Sequence, residues 1–307
     1  MKAPRLSRGR RAGVGGSLSL LLCFGILTSP GSQSLAGAKE ASESSLRSQA
    51  CRIDSAGSER TLVDACQGMD ELVKRARLAM AGEPGSTAAV ERLNRFFFRT
   101  EGFQVTHDLS SLDHLLPGRV IAGKTGYCVG LAAIYLILAE DLGLPVHAVA
   151  TPQHVFLRWD DGKLRRNIEL FQEGGEVTDE QYVREQKIPR ESVERGVFMK
   201  DLARDEFLGF IHQNLGVLAS QSGDFQSSAK HYAAALHLNR KLAAAHYNLG
   251  NDLLQQKRYR EAARAYSKAL DLYPTDAEAL QNRSVAWEGL GKLEKAKEDA
   301  ARAQAQR

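Results

Sequence analysis

Apolar and polar positions follow three different rhythms along this chain, and each rhythm predicts an element. From Cys128 to Ala139 nearly every position is apolar, and the run stops at Gly143 with Pro145 just beyond; an all-round apolar stretch with a glycine stop predicts a buried helix. Val146–Ala150, Val155–Trp159 and Leu164–Leu170 are short runs with strand character, and the last two are separated by Asp160-Asp161-Gly162-Lys163. An Asp-Gly turn between such runs predicts a β-hairpin. Helical spacing also covers about Thr61 to Met80, a run from near Ala88 whose Phe96, Phe97 and Phe98 are core candidates, and a stretch from about Ser192 to Phe207. Thr178 and Gln181 have the spacing of a capping box.

The third rhythm has a period of 34 residues: Leu215-Gly216 recurs as Leu249-Gly250, Tyr232 as Tyr266 and Ala235 as Ala269, and one more step reaches Ser284, Ala300 and Ala303. Small and aromatic residues at that period are the pattern of tetratricopeptide helix pairs, in which two helices must approach closely. The units fall at 209–242, 243–276 and 277–307, within an array spanning 207–307. Asn214, Asn248 and Asn282 recur at one helical position. Such a ladder can hydrogen-bond an extended peptide, although asparagine is also simply common at this position.

Candidate chemistry lies between the buried helix and the hairpin. Cys128 falls in the first turn of its helix, where unpaired N–H groups and the positive end of the helix dipole favour thiolate over thiol and can hold an oxyanion. If Asp161-Gly162 is a two-residue loop, hairpin partners have numbers summing to 323, so His154 faces Glu169 and Val155 faces Ile168. Opposed side chains are about 5 Å apart at Cβ, close enough for the carboxylate to hold one imidazole nitrogen and leave the other for the thiol. A one-residue slip would undo this. Cysteine, histidine and a third orienting group form the general arrangement for nucleophilic attack on an amide or ester carbonyl.

Gly-Tyr-Cys-Val-Gly-Leu at 126–131, Gly-Leu-Pro-Val at 143–146, Gln-His-Val-Phe at 153–156 and Asn-Ile-Glu at 167–169 resemble the core of the transglutaminase-like superfamily, and in particular its bacterial branch with C-terminal tetratricopeptide repeats. The resemblance implies an α+β fold, with the cysteine-bearing helix packed on a small antiparallel sheet over about 59–200, followed by the all-α array. It further implies Cys128 as nucleophile, His154 as general base and acid, and Glu169 as the orienting carboxylate at a position usually held by Asp. Asn167, on the same hairpin face, is an alternative hydrogen-bonding partner. The expected activity is thiol-mediated acyl transfer on a protein or peptide, ending in hydrolysis, deamidation or cross-linking.

Composition narrows the setting. The chain has 307 residues, 43% hydrophobic and 25% charged, with a net charge of +4; that is an ordinary globular composition for about two domains. Five basic residues, Lys2, Arg5, Arg8, Arg10 and Arg11, lie in the first 36, which contain no acid, so the remainder has 36 basic against 37 acidic residues. Nothing in that balance predicts a nucleic-acid surface. The basic start, the apolar stretch from about Ser17 to Thr28 and the small residues Ser34 to Ala38 predict a signal peptide over 1–36, with 37–58 as a linker, and hence an exported protein, periplasmic or extracellular, with no membrane attachment after cleavage. Cys51 and Cys66 are then the natural disulfide pair, leaving Cys128 free.

Two other readings fit the same residues. The core could be a catalytically inactive scaffold whose repeats bind a protein partner. Cys128, His154 and Glu169 could also form an open zinc site, though their spacing contains no close ligand pair. No metal or cofactor is expected.

Overall fold

The computed structural model describes residues 45–56, 62–82 and 86–306; the expected signal peptide at 1–36 lies outside them. In chain order the α-helices of the described residues are α1 (Leu46–Ala56), α2 (Leu62–Ala79), α3 (Ser86–Asn94), α4 (Pro117–Gly123), α5 (Cys128–Asp141), α6 (Asp179–Glu185), α7 (Arg190–Glu194), and six C-terminal ones. These six are α8 (Arg204–Gln221), α9 (Phe225–Leu238), α10 (Ala243–Gln255), α11 (Tyr259–Leu272), α12 (Ala277–Gly289) and α13 (Leu293–Gln306). The strands are β1 (Gln104–Val105) and β2 (Thr125–Gly126), which pair in parallel, and β3 (Val146–Ala150), β4 (Val155–Asp160) and β5 (Arg165–Ile168), an antiparallel sheet in that order.

α5 is the centre of the core: every residue from Cys128 to Ala139 is buried. Gly143 ends it with φ +67, and the Leu144 N–H closes the last turn on Ala139 O; a glycine at that left-handed position avoids the Cβ penalty. Gly130 is needed for a different reason. A Cβ there would meet His114 O at 2.7 Å and Leu115 O at 2.9 Å, so the first turn of α5 sits directly on backbone carbonyls, and the Tyr127 N–H donates to His114 O at 2.7 Å. That contact fixes where the helix begins.

The sheet is covered on both faces. Val155, Leu157 and Trp159 join the cluster around α5, while Phe156 points the other way into a second cluster with Val149, Val177, Tyr182 and Phe198. This explains why β4 is buried almost throughout instead of alternating. The Leu202 and Met199 N–H groups bond Ala148 O and Ala150 O, so the free edge of β3 is capped by chain.

Two expectations change here. The predicted linker at 37–58 contains α1, which buries Leu46, Ala50, Cys51 and Asp54; the Gly118 N–H donates to Asp54 Oδ2 at 2.7 Å, and Cys51 is joined to Cys66 by a disulfide. The predicted helix from Ser192 to Phe207 is instead the short α7, the edge segment at 199–202 and then α8, because those backbone groups satisfy β3.

The C-terminal helices pair as α8/α9, α10/α11 and α12/α13, three tetratricopeptide units. Gly216 lies against the Tyr232 ring and Gly250 against the Tyr266 ring, where a Cβ would come within 2.5 Å and 2.6 Å of ring carbons. Each glycine thus lets an aromatic ring reach the partner helix backbone. Phe207, Leu208, Phe210 and Ile211 of α8 belong to the same cluster as α5, so the first repeat is part of the core's interior.

Candidate active site

Cys128 opens α5 with Tyr127 as its N-cap in extended conformation, and the Leu131 N–H makes the first helical bond, to Tyr127 O. The N–H of Cys128 lies in the first turn, ahead of that bond, and is the natural oxyanion donor. Cys128 is the free cysteine among the described residues and is 3% exposed.

His154 is delivered by a tight turn. Thr151, Pro152, Gln153 and His154 join β3 to β4, the Thr151 N–H bonding His154 O at 2.8 Å and the His154 N–H bonding Thr151 Oγ1 at 3.0 Å. Proline in second place presets the turn. The ring Nε2 lies 2.9 Å and 3.0 Å from the two carboxylate oxygens of Glu169, which leaves Nδ1 for the thiol of Cys128, in the lining of the same cleft. Burial works against the imidazolium, yet hydrogen bonds to Cys128 and Glu169 and their negative charge outweigh it, raising the histidine to about 9.

The hairpin register differs from the expected one. β4 and β5 pair Leu157 with Ile168, Arg158 with Asn167 and Asp160 with Arg165, so partner numbers sum to 325 and Ile168 faces Leu157 instead of Val155, while neither His154 nor Glu169 is in the ladder. The loop has four residues because Asp160 Oδ1 accepts from the Gly162 N–H at 3.0 Å and Asp161 Oδ1 from the Lys163 and Leu164 N–H groups at 2.9 Å and 2.7 Å; these side-chain turns widen it. A shift of two preserves facing, whereas a shift of one would not. β5 ends at Ile168, and Glu169 caps a short 3₁₀ turn over Leu170–Gln172, from which its side chain reaches back to His154.

Glu169 is held by three further groups. The Phe171 N–H donates to Oε1 at 2.9 Å, the buried Tyr182 hydroxyl donates to Oε2, and the backbone bridges to Gly175. Burial would raise the carboxyl, but the hydrogen bond and charge of His154, with those from Tyr182 and Phe171, hold it below its ordinary range. Tyr127, beside the sulfur, is pushed up to about 12 by burial, then by the charge and hydrogen bond of Cys128.

Asn167 does not reach His154. Its Oδ1 accepts from Arg158 Nε at 2.9 Å, and its Nδ2 donates to Val177 O at 2.8 Å and Asp179 Oδ1 at 2.7 Å. Arg158 is fully buried and also binds Asp179 at 2.5 Å and Asp201 at 2.7 Å. The sequence signal for this hub was an arginine inside an otherwise apolar strand, which requires distant carboxylates; nothing in the spacing pointed to Tyr182. The asparagine ladder is engaged within the array at two of its positions: Asn214 Nδ2 donates to Phe210 O at 3.0 Å, and Asn282 Nδ2 to Asn251 Oδ1 at 2.9 Å. Among the described residues no group of three or more Cys, His, Asp and Glu side chains is placed to hold a metal.

Cys128 and His154 open onto a cleft of about 660 Å³. One wall carries Tyr127, Gln153 and Phe198 from the core, and the other Phe210, Tyr247 and Asp276 from the repeats. The arrangement can form a thioester by attack of sulfur on a carbonyl held between these walls.

This is the architecture of a small α+β core joined to a helical-repeat array. Residues 64–197 match the model of the transglutaminase-like superfamily, and residues 243–276 that of the tetratricopeptide repeat; the chain joins a domain of that superfamily to a repeat array of that kind. Among curated proteins, the chain is similar to a UPF0162 protein of Xylella fastidiosa (strain 9a5c), at 26% identity over 217 residues, 68% of this chain and 65% of that protein. It is also similar to tetratricopeptide repeat protein 6 of Homo sapiens, at 36% over 87 residues, 28% of this chain and 16% of that one. The chain thus spans less than two thirds of the length of either relative. Among solved structures, the N-terminal domain of stress-induced protein-1 (STI-1) from C. elegans aligns with TM-score 0.33 and 19% identity, over 34% of this chain and 88% of that one.

Proposed function

We propose that this protein is an exported cysteine enzyme that performs acyl transfer on a polypeptide substrate held between the transglutaminase-like core and the repeats. The observation that carries this reading is that Cys128 and His154 line the cleft whose other wall is the repeat array, with Glu169 bound to Nε2 of the imidazole. Cys128 Sγ attacks the substrate carbonyl carbon, a C–S bond forms and the C–N bond breaks; His154 passes its proton to the departing amine. Water or a second amine then attacks the thioester, His154 takes its proton, and the thiolate is restored. The Cys128 N–H holds the oxyanion.

A recessed sulfur favours an extended segment over the surface of a folded protein, and the repeats supply the surface such a segment would lie on. Export is supported by the Cys51–Cys66 disulfide, which persists in an oxidising compartment such as the periplasm or the extracellular space.

The test is alkylation by iodoacetamide near pH 6 with the labelled site mapped. Cys128 should label fast in the unaltered protein and at least tenfold more slowly in H154A. Equal, slow labelling in both would remove the enzyme reading and leave a repeat scaffold with an inert core.

A further inference from the structure

We infer that Tyr182 is a fourth, positioning member of the site, whose hydroxyl keeps the Glu169 side chain ionised and turned toward His154. The inference rests on the function proposed above and concerns how its carboxylate is held.

Glu169 sits outside the ladder, on the residue after β5, and must span the distance to His154 with a side chain that has one more rotatable bond than aspartate. Its Oε1 faces both His154 Nε2 and the Phe171 N–H, and its Oε2 faces His154 Nε2 and the Tyr182 hydroxyl. Without a donor on Oε2 from the far side, Oε2 would be held by His154 Nε2 alone. Tyr182 supplies that donor from a rigid place. Its ring is 5% exposed and stacks on Phe156 with centroids 4.3 Å apart and planes 9° from parallel.

The helix that carries it is fixed at its start. The Gln181 N–H donates to Thr178 Oγ1 at 3.2 Å, and Asp179 is held by buried Arg158 and by Asn167 at 2.5 Å and 2.7 Å. The polar cluster around Arg158 therefore contacts neither Cys128 nor His154, yet it sets where the Tyr182 hydroxyl lies. Charge-assisted hydrogen bonds of this kind are short and strong, and Tyr182 and Phe156 lie in the second cluster, on the side of the sheet away from α5.

A donor on a carboxylate favours its charged form, so losing the hydroxyl should raise the pH at which Glu169 takes a proton. A residue that only fills space would lower Cys128 reactivity at every pH by one factor. A residue that holds the carboxylate ionised shifts the acid limb of the profile.

The experiment is the rate of iodoacetamide labelling of Cys128 from pH 4 to 7, together with ¹³C NMR titration of the Glu169 side-chain carboxyl, in the unaltered protein and in Y182F. Y182F keeps the ring stack and should melt cooperatively. Its acid limb and its carboxyl midpoint should both rise by about one pH unit, the shift expected for one charge-assisted hydrogen bond. 3-Fluorotyrosine introduced at position 182 is a more acidic donor of similar shape, and should move both in the opposite direction. If Y182F fails to melt cooperatively, the fluorinated variant decides alone. Unmoved midpoints in these variants, or a pH-independent loss of rate with the carboxyl titration unchanged, would overturn the inference. If Cys128 labels slowly at every pH even in the unaltered protein, the proposed function fails, while the carboxyl titration still reads the Tyr182 contact.

Discussion

Gly250 is the position where one methyl group should reverse its effect according to its neighbour. It lies inside α10, and a Cβ built there would meet Tyr266 ring carbons at 2.6, 2.7 and 2.9 Å. Carbon atoms pack at about 3.5–4.0 Å, so in G250A the ring would have to retreat by about 1 Å. It has nowhere to go: Tyr266 is fully buried, and its hydroxyl donates to Asn251 Oδ1 at 2.7 Å. Overpacking of this kind costs about 1–3 kcal/mol, while alanine in place of glycine in a helix interior returns about 1 kcal/mol. The net loss should be up to about 2 kcal/mol. In a chain already carrying Y266L the obstacle is gone, and G250A should then stabilise by up to about 1 kcal/mol. Urea denaturation of the four proteins in this cycle measures both numbers. The same loss from G250A in both backgrounds would refute the argument that the tyrosine ring is what demands glycine here.

Two further outcomes are expected. Replacing Cys51 and Cys66 together by serine opens a loop with sequence separation 15; this should cost about 3 kcal/mol of stability by the chain-entropy estimate and leave Cys128 labelling unchanged, and a midpoint equal to that of the disulfide form would contradict it. In the unaltered protein burial works against the His154 imidazolium, but Cys128 and Glu169 together raise it from its ordinary 6.5 to about 9. A raised folded value means the stabilisation is fully present below 6.5 and is lost as pH climbs toward the folded value. The urea midpoint of the unaltered protein should therefore fall as pH rises from 6.5 towards 9, with a slope that H154Q reduces; parallel curves would show that His154 titrates alike in the folded and unfolded chain.

The central helix and the repeats were legible because their signals are local and periodic. Twelve consecutive buried positions from Cys128, and glycine and tyrosine returning at 34 residues, leave little competition from other folds. The hairpin was legible as an element but not in register, since Asp160 and Asp161 each have a side chain able to take over backbone donors and lengthen the turn. Facing survived because the error was an even number of residues. α1 was missed because its apolar residues are few, and what buries it is a disulfide and an N–H of α4, both distant in sequence. Arg158 and Tyr182 belong to the same class: their partners are 21 and 13 residues away, so no spacing rule relates them before the sheet is built.

The sharing of one apolar interior between α5 and α8 has a consequence for how such a protein can change over generations. Its innermost repeat cannot be exchanged like a bead on a string, because substituting it would expose the back of the helix that carries the sulfur. Variation in what the protein recognises must therefore accumulate in the outer two units and along the loops facing the cleft, while the first is held to the slow pace of the core.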